Sequence, residues 1–347
     1  MAIPELSDRE RQVLDAVIQS YVETAEPAGS RTLSRRFGLG VSPATIRNTM
    51  SDLEEKGFLF HPHTSAGRIP TDKAYRAYVD GLMRIRPITS SDQARLEEEL
   101  RASGGTIETI LRRAAQTLGV LTQELGVALG PALEQTTLQR LDLVRVASDK
   151  LVLVMTLVGG AVRTVFVEVR GEIADTALAE VAVVLNERLS GLTLAQIKAT
   201  LPARLRDAGR SVQAAEVLDI FVQERDQLFD ASLVRGSEGV VLGQASVLAE
   251  QPEFAAGEDL RRLIELTETS QRLASTLRDR AERPGITITI GGEHDDPLLG
   301  KLTVVTAEYR AGTLSGVIGV IGPTRMPYDK VVSVVTHTSR LVSALLA

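Results

Sequence analysis

The chain contains no cysteine and no tryptophan, and only 3% of its residues are aromatic. Without thiols there is no disulfide scaffold and no thiolate nucleophile, and the composition suits a reducing cytosol. With so few aromatics, the interior of a 347-residue chain that is 44% hydrophobic must be built from Leu, Val, Ile and Ala. That is enough for two or three domains. Long apolar runs are missing as well. The longest, residues 151–162, holds Thr156 and two glycines and falls short of the roughly 20 residues of a membrane helix. The opening MAIPELSDRER lacks the apolar centre of a signal peptide. The expectation is a cytoplasmic protein with no membrane partner.

Catalytic patterns are equally scarce. There are four histidines (61, 63, 294, 337), and neither a G-x-S-x-G elbow nor a metalloprotease helix occurs. Lys301 follows Gly300, but no phosphate-loop pattern precedes it. His61 and His63 lie two apart with no further ligand nearby, which suits loop packing or a phosphate contact better than a metal. The run Gly291-Gly292-Glu293-His294-Asp295-Asp296 gathers a histidine and three carboxylates. It reads either as a hard-cation loop of a metal-dependent enzyme or as a polar turn between strands, and the turn is the simpler account. No metal and no cofactor are assigned. In Gly322-Pro323-Thr324-Arg325-Met326-Pro327, Arg325 is a candidate subunit or ligand contact able to fork onto an anion. The alternative is a turn with strict backbone demands.

What is present lies between residues 29 and 73. The spacing predicts a helix capped by Ser30 and stopped by Gly38, a turn over 38–41, then a second helix capped by Ser42 with Pro43 at its first position. That second helix ends at Gly57. Phe58-Leu59-Phe60, a polar tip at 64–68 and Ile69-Pro70 then suggest a hairpin wing. Helix, turn, helix and wing form a unit that lays one helix in the major groove of DNA. Ile46, Met50 and Leu53 recur at the helical period as an inner face, with Thr49 beside them. Thr45, Arg47, Asn48 and Ser51 remain outside as candidate readers of base edges, near an N-terminus at Ser42 that can also hold a phosphate. Arg31, Arg35 and Arg36 are candidate phosphate contacts, and Arg68 is a candidate for a neighbouring minor groove. A helical pair with a merely solvated face is the alternative. The net charge is −6, yet this stretch carries seven basic residues against four acidic ones, as a specific reader on an acidic body would.

Elsewhere, Ser7 with Glu10 forms a capping box for a supporting helix, and Thr71 can cap another. Arg84-Ile85-Arg86-Pro87 marks a boundary. Helices are expected over 96–100, 107–125, 176–189, 193–201, 212–228 and 327–346. Strands are expected over 138–147, 151–157, 162–169, 286–290, 302–308 and 314–321. Turns are placed at Ser148-Asp149-Lys150 and Gly159-Gly160.

The segments EPAGSRTLS, SPATIRN and HTSAGRIPTDKAYRAYV resemble the N-terminal signature of the heat-inducible transcription repressor HrcA family, and GVIGVIGPTRMPY resembles its C-terminal signature. The resemblance spans essentially the whole chain. It implies an α+β multidomain protein: a winged helix-turn-helix domain at 1–85, a GAF-like domain from 86–136 and 232–347, and an inserted dimerising domain at 137–231. It further implies a non-enzymatic homodimer that represses chaperone operons through double-stranded DNA carrying a CIRCE-type inverted repeat, kept active by the chaperonin GroEL. The rival within DNA binding is an effector-sensing winged-helix regulator whose GAF-like domain takes a small molecule.

Overall fold

In the computed structural model, residues 6–346 are described except 64–66, 103–106, 132, 135, 159–161, 170, 172, 209–210, 230–238, 256, 269, 282 and 313. Helix α1 (Asp8–Thr24) starts with the expected box: Ser7 accepts from the Glu10 N–H, and the Glu10 carboxylate answers the Ser7 N–H at 2.8 Å. α2 (Ser30–Phe37) starts one residue away from the expected cap. Gly29 holds the N-cap position without a side-chain bond, and Ser30 is the first helical residue, buried. The cause is tertiary: Ala28 is pinned extended by two backbone hydrogen bonds to Arg68, so the chain turns at Gly29. α3 (Pro43–Glu55) has Ser42 as its cap and Pro43 at its start. Gly38 and Gly57, the expected stops, both take left-handed backbone. β1 (Leu59–Phe60) pairs antiparallel with β2 (Ile69–Pro70); the tip between them lies partly outside the described residues. α4 (Asp72–Ala77), capped by Thr71, runs on through a π-helical turn (Tyr78–Leu82). The α1 stripe of Val13, Leu14, Val17 and Ile18 buries with Leu33, Ile46, Met50, Leu53 and Phe58.

α5 (Ser90–Arg101) and α6 (Ile107–Thr122) follow. The second departs from expectation: it ends three residues early, Gln123 turns left-handed, and β3 (Leu125–Leu129) begins at once. Every residue of β3 is buried, so it has no alternation to betray it. β4 (Leu138–Ala147), β5 (Lys150–Leu157) and β6 (Val162–Glu168) form an antiparallel sheet in chain order, with the turn after Ala147 as expected and Gly159-Gly160 outside the described residues. α7 (Asp175–Leu189), α8 (Leu194–Leu205), α9 (Val212–Gln223) and α10 (Arg225–Leu228) come next. α8 continues past Pro202, beyond its expected end, and the helix expected over 212–228 is broken at Glu224.

β7 (Val240–Leu242), α11 (Ser246–Ala249), α12 (Gly257–Glu268) and α13 (Ser270–Ala281) carry no counterpart among the sequence expectations. β8 (Ile286–Ile290) matches its expectation; β9 (Leu302–Ala311), β10 (Leu314–Pro323) and α14 (Tyr328–Leu345) nearly do. The sheet order is β7-β3-β10-β9-β8. β3 runs antiparallel to both β10 and β7, and β8 antiparallel to β9.

The chain divides into two compact units. One comprises 1–129, 240–309 and 317–345; the other comprises 130–239, 310–316 and 346–347. In the second, Leu141, Leu153, Met155 and Val167 of the sheet pack with Val181, Leu185, Ile197, Leu201 and Phe221 of the helices. In the first, Leu125, Val127, Val304 and Ile321 pack with Leu266, Leu273 and Leu277. Among the described residues no helix is long and apolar enough to cross a membrane.

Candidate nucleic-acid interface

α3 exists because one stripe is apolar and its start is fixed twice. Ser42 Oγ accepts from the Thr45 N–H at 3.1 Å, satisfying an otherwise orphaned donor, and Pro43 has no N–H to orphan. Ile46 and Leu53 are fully buried, with Thr49 and Met50 nearly so, against α1 and α2. Thr49 spends its hydroxyl on the Thr45 carbonyl at 3.1 Å. The other side of the helix carries the expected candidates. Arg47 and Asn48 are exposed, and among the described residues neither head group has a partner. Thr45 and Ser51 are half-buried and locally engaged: the Thr45 hydroxyl shares a 3.0 Å bond with Ser42, and Ser51 donates to the Arg47 carbonyl at 3.2 Å. Ser42 itself is occupied as the cap.

The surrounding cations sort by partner. Arg36 pairs with Glu23. Lys56 reaches Glu10 at 2.6 Å, tying the end of α3 to α1. Those bonds, the Lys56 hydrogen bond first and the Ser7 N–H second, hold the Glu10 carboxyl well below the usual range, at about 2. Lys73 donates to the Lys56 carbonyl at 2.6 Å and sits over the Phe58 ring. Arg68 does not stand out from the wing: its side chain is 12% exposed, it pairs with Glu54 at 2.9 Å, and its backbone bridges to Ala28. Glu54 also takes His61 at 3.1 Å, so that histidine packs the wing, while His63 is exposed. Arg31 and Arg35 are exposed and, among the described residues, make no ion pair. Of this basic cluster, Arg31, Arg35 and Arg47 are therefore left to meet an external anion.

Arg325 forks as its sequence suggested, but onto this chain. Its Nε and Nη2 meet Glu253 at 2.5 and 3.0 Å, and Nη1 donates to the Val22 carbonyl at 2.8 Å. The Glu253 hydrogen bonds raise its pKa further. The 291–296 loop is also engaged internally. Burial works against the Glu293 charge, yet the Arg76 fork holds its pKa below the usual value, and Asp296 caps the Leu298 N–H at 2.9 Å. Among the described residues no group of three acidic, histidine or cysteine side chains is placed to hold a metal ion.

The model of the HrcA protein C-terminal domain matches residues 108–332. Heat-inducible transcription repressor HrcA of Chlorobium limicola is 38% identical over all of this chain and 99% of its own length. The protein of the same name from Geobacter sulfurreducens is 35% identical over 99% and 98%. This chain belongs to the HrcA family. A solved structure of a hypothetical protein, 24% identical over 99% of both chains, shares the fold with a TM-score of 0.71. The HrcA relatives are named as transcription repressors, which supports a non-enzymatic reading of the 291–296 loop.

Sequence reasoning missed one group. Asp72 and Arg76 meet a turn more than 200 residues away, with Gly292 N donating to Asp72 Oδ2 at 2.9 Å and Arg76 forking onto Glu293. The charged positions were visible; their partners were set by the fold.

Proposed function

We propose that this chain is a negative transcriptional regulator of chaperone operons, a homodimer that occupies a CIRCE-type inverted repeat in double-stranded DNA. On this reading, residues 1–85 form a winged helix-turn-helix domain with α3 as the recognition helix. The pieces 86–136 and 232–347 form a GAF-like domain, and 137–231 an inserted dimerising domain. The observation that carries it is the division of α3: a buried Ile46–Met50–Leu53 stripe on one side, and on the other Arg47 and Asn48, without a partner among the described residues. Arginine forks onto guanine and asparagine onto adenine, so these two would discriminate bases, while Thr45 and Ser51 add adaptable hydroxyl contacts. Arg31 and Arg35 supply phosphate attraction without sequence information.

Two-fold symmetry follows from what an inverted repeat demands, because one small module offers too little surface for strong specificity. The outer face of the β4-β5-β6 sheet supports dimerisation. Phe166 lies opposite Val152, which lies opposite Val144, and Phe166, Val144 and Val162 stay exposed. Such an apolar face marks a surface that another chain covers. The chaperonin GroEL would maintain the competent fraction in the cytoplasm, and heat would divert it to other clients. Footprinting the purified chain on promoters of its own chaperone genes tests the whole reading. Protection of a two-fold symmetric site is expected, and uniform, sequence-blind protection would reject it.

A small-molecule effector is the second reading, favoured by a cavity of about 380 Å³ lined by Asp72, Phe254, Arg262, Lys301 and Thr324, in the size range of ligand sites. Operator binding that changes on adding a metabolite fraction, with chaperonin absent, would favour it.

A further inference from the structure

α4 follows directly on the wing, yet two of its charges, Asp72 and Arg76, point to the body of the same compact unit. Arg76 Nε and Nη2 fork onto Glu293 at 2.7 and 2.5 Å, and Nη2 also donates to the Ile288 carbonyl at 2.8 Å. Asp72 accepts the Gly292 N–H. The adjoining Gly291 has φ +48, and a Cβ there would lie 2.1 Å from the Asp72 carboxylate, so the turn is shaped around that side chain. Tyr75 packs on Tyr328 with ring centroids 5.8 Å apart, both buried. A second attachment is made by α1. Arg325 donates to Val22 O in the last turn of α1, where carbonyls have no helical partner and the helix dipole is negative. Glu253 holds the rest of the fork.

Attachments on two different helices of the reading module restrain its rotation as well as its position. DNA makes that restraint informative. One added base pair between half-sites shifts the second by about 3.4 Å and turns it by roughly a tenth of a helical turn. A loosely tethered module would follow that shift; a fixed one would not. We propose that Arg76 and Arg325 are positioning residues that fix the angle at which α3 is mounted, and so set the half-site spacing this chain accepts. This rests on the recognition-helix reading above.

The test uses the full chain and a set of operators with identical half-sites and spacings changed by one or two base pairs. The parent chain should prefer one spacing by about tenfold or more. Arg76→Ala and Glu293→Gln should flatten that preference to less than about threefold while keeping base preference within a half-site. The exchanged pair Arg76→Glu with Glu293→Arg should restore part of it, which a merely destabilising effect would not. Because the chain has no cysteine, labels at Glu55→Cys and Glu250→Cys report the mounting without DNA. Their distance distribution should be narrow in the parent and broader in Arg76→Ala and Arg325→Ala. Unchanged spacing preference or unchanged distance width in the variants overturns the proposal. A parent chain with no base preference at all instead rejects the recognition-helix reading, and the label distances still judge the mounting.

Discussion

At the scale of single residues, charge alone says little and partnership decides. Arg36, Arg47, Arg68 and Arg325 are all arginines in or near turns and helix ends, but among the described residues only Arg47 of these four has no partner. Arg47→Ala and Asn48→Ala should each weaken operator binding by roughly 1–3 kcal/mol and relax base preference. Arg35→Ala should weaken all sequences alike and reduce the salt dependence. Titrations against operator and scrambled DNA at several salt concentrations separate the two behaviours. Glu10 makes a prediction about acid. Its folded pKa is depressed to about 2 by Lys56 and the Ser7 N–H. Its contribution to stability is therefore full above the unfolded value of roughly 4.3 and is lost as pH falls toward 2. Unfolding curves across that window should show Glu10→Gln less stable than the parent at neutral pH, with the gap closing in acid.

At the scale of elements, local signals were strong wherever a cap or an amphipathic stripe was complete. Ser7, Ser42 and Thr71 all accept the N–H that their position predicts, and α3 lies where its sequence puts it. The errors have physical causes. β3 is buried on both faces and follows a helix after two residues, so neither alternation nor a spacer announced it. The expected Ser30 cap lost to the pairing of Ala28 with Arg68, a contact between positions 40 apart. β3 also explains Gly126: a Cβ there would come within 1.8 Å of the Ala115 carbonyl of α6. Gly126→Ala must push α6 away from the sheet, and overpacking of this kind costs about 1–3 kcal/mol or more. Calorimetry should show a clear fall in Tm, whereas Gly257→Ala, with open space around it, should change it little.

At the scale of the whole molecule, the proposed function requires a symmetric pair and depends on the fraction of chain that folds. Phe166→Lys on the exposed sheet face should leave the fold intact, shift sedimentation toward monomer and weaken binding to the full inverted repeat more than to one half-site. An unchanged dimer would move the interface elsewhere. Dependence on chaperonin is expected of a chain whose β7-β3-β10-β9-β8 sheet joins strands far apart in sequence, because such topologies complete late and expose intermediates. Refolding with and without chaperonin, followed by operator titration, should recover more binding with it; equal recovery at several temperatures would remove the chaperonin from the mechanism.

Short-range physics made the helix-turn-helix order, the inner stripe of α3 and the meander of β4 to β6 legible in the sequence, and the family was legible through motifs that resemble known signatures. Caps, periods of 3.6 and 2, and turn residues act over a few positions and need no partner. Tertiary structure alone decided which charges are spent. The sequence placed Arg68 and Arg325 at turns, where either could have met a ligand, DNA or another subunit. Folding brought Glu54 to one and Glu253 with the Val22 carbonyl to the other. Desolvating a guanidinium without a counter-charge is costly, so partners that are distant in sequence, and visible only in the fold, set what each cation is free to do.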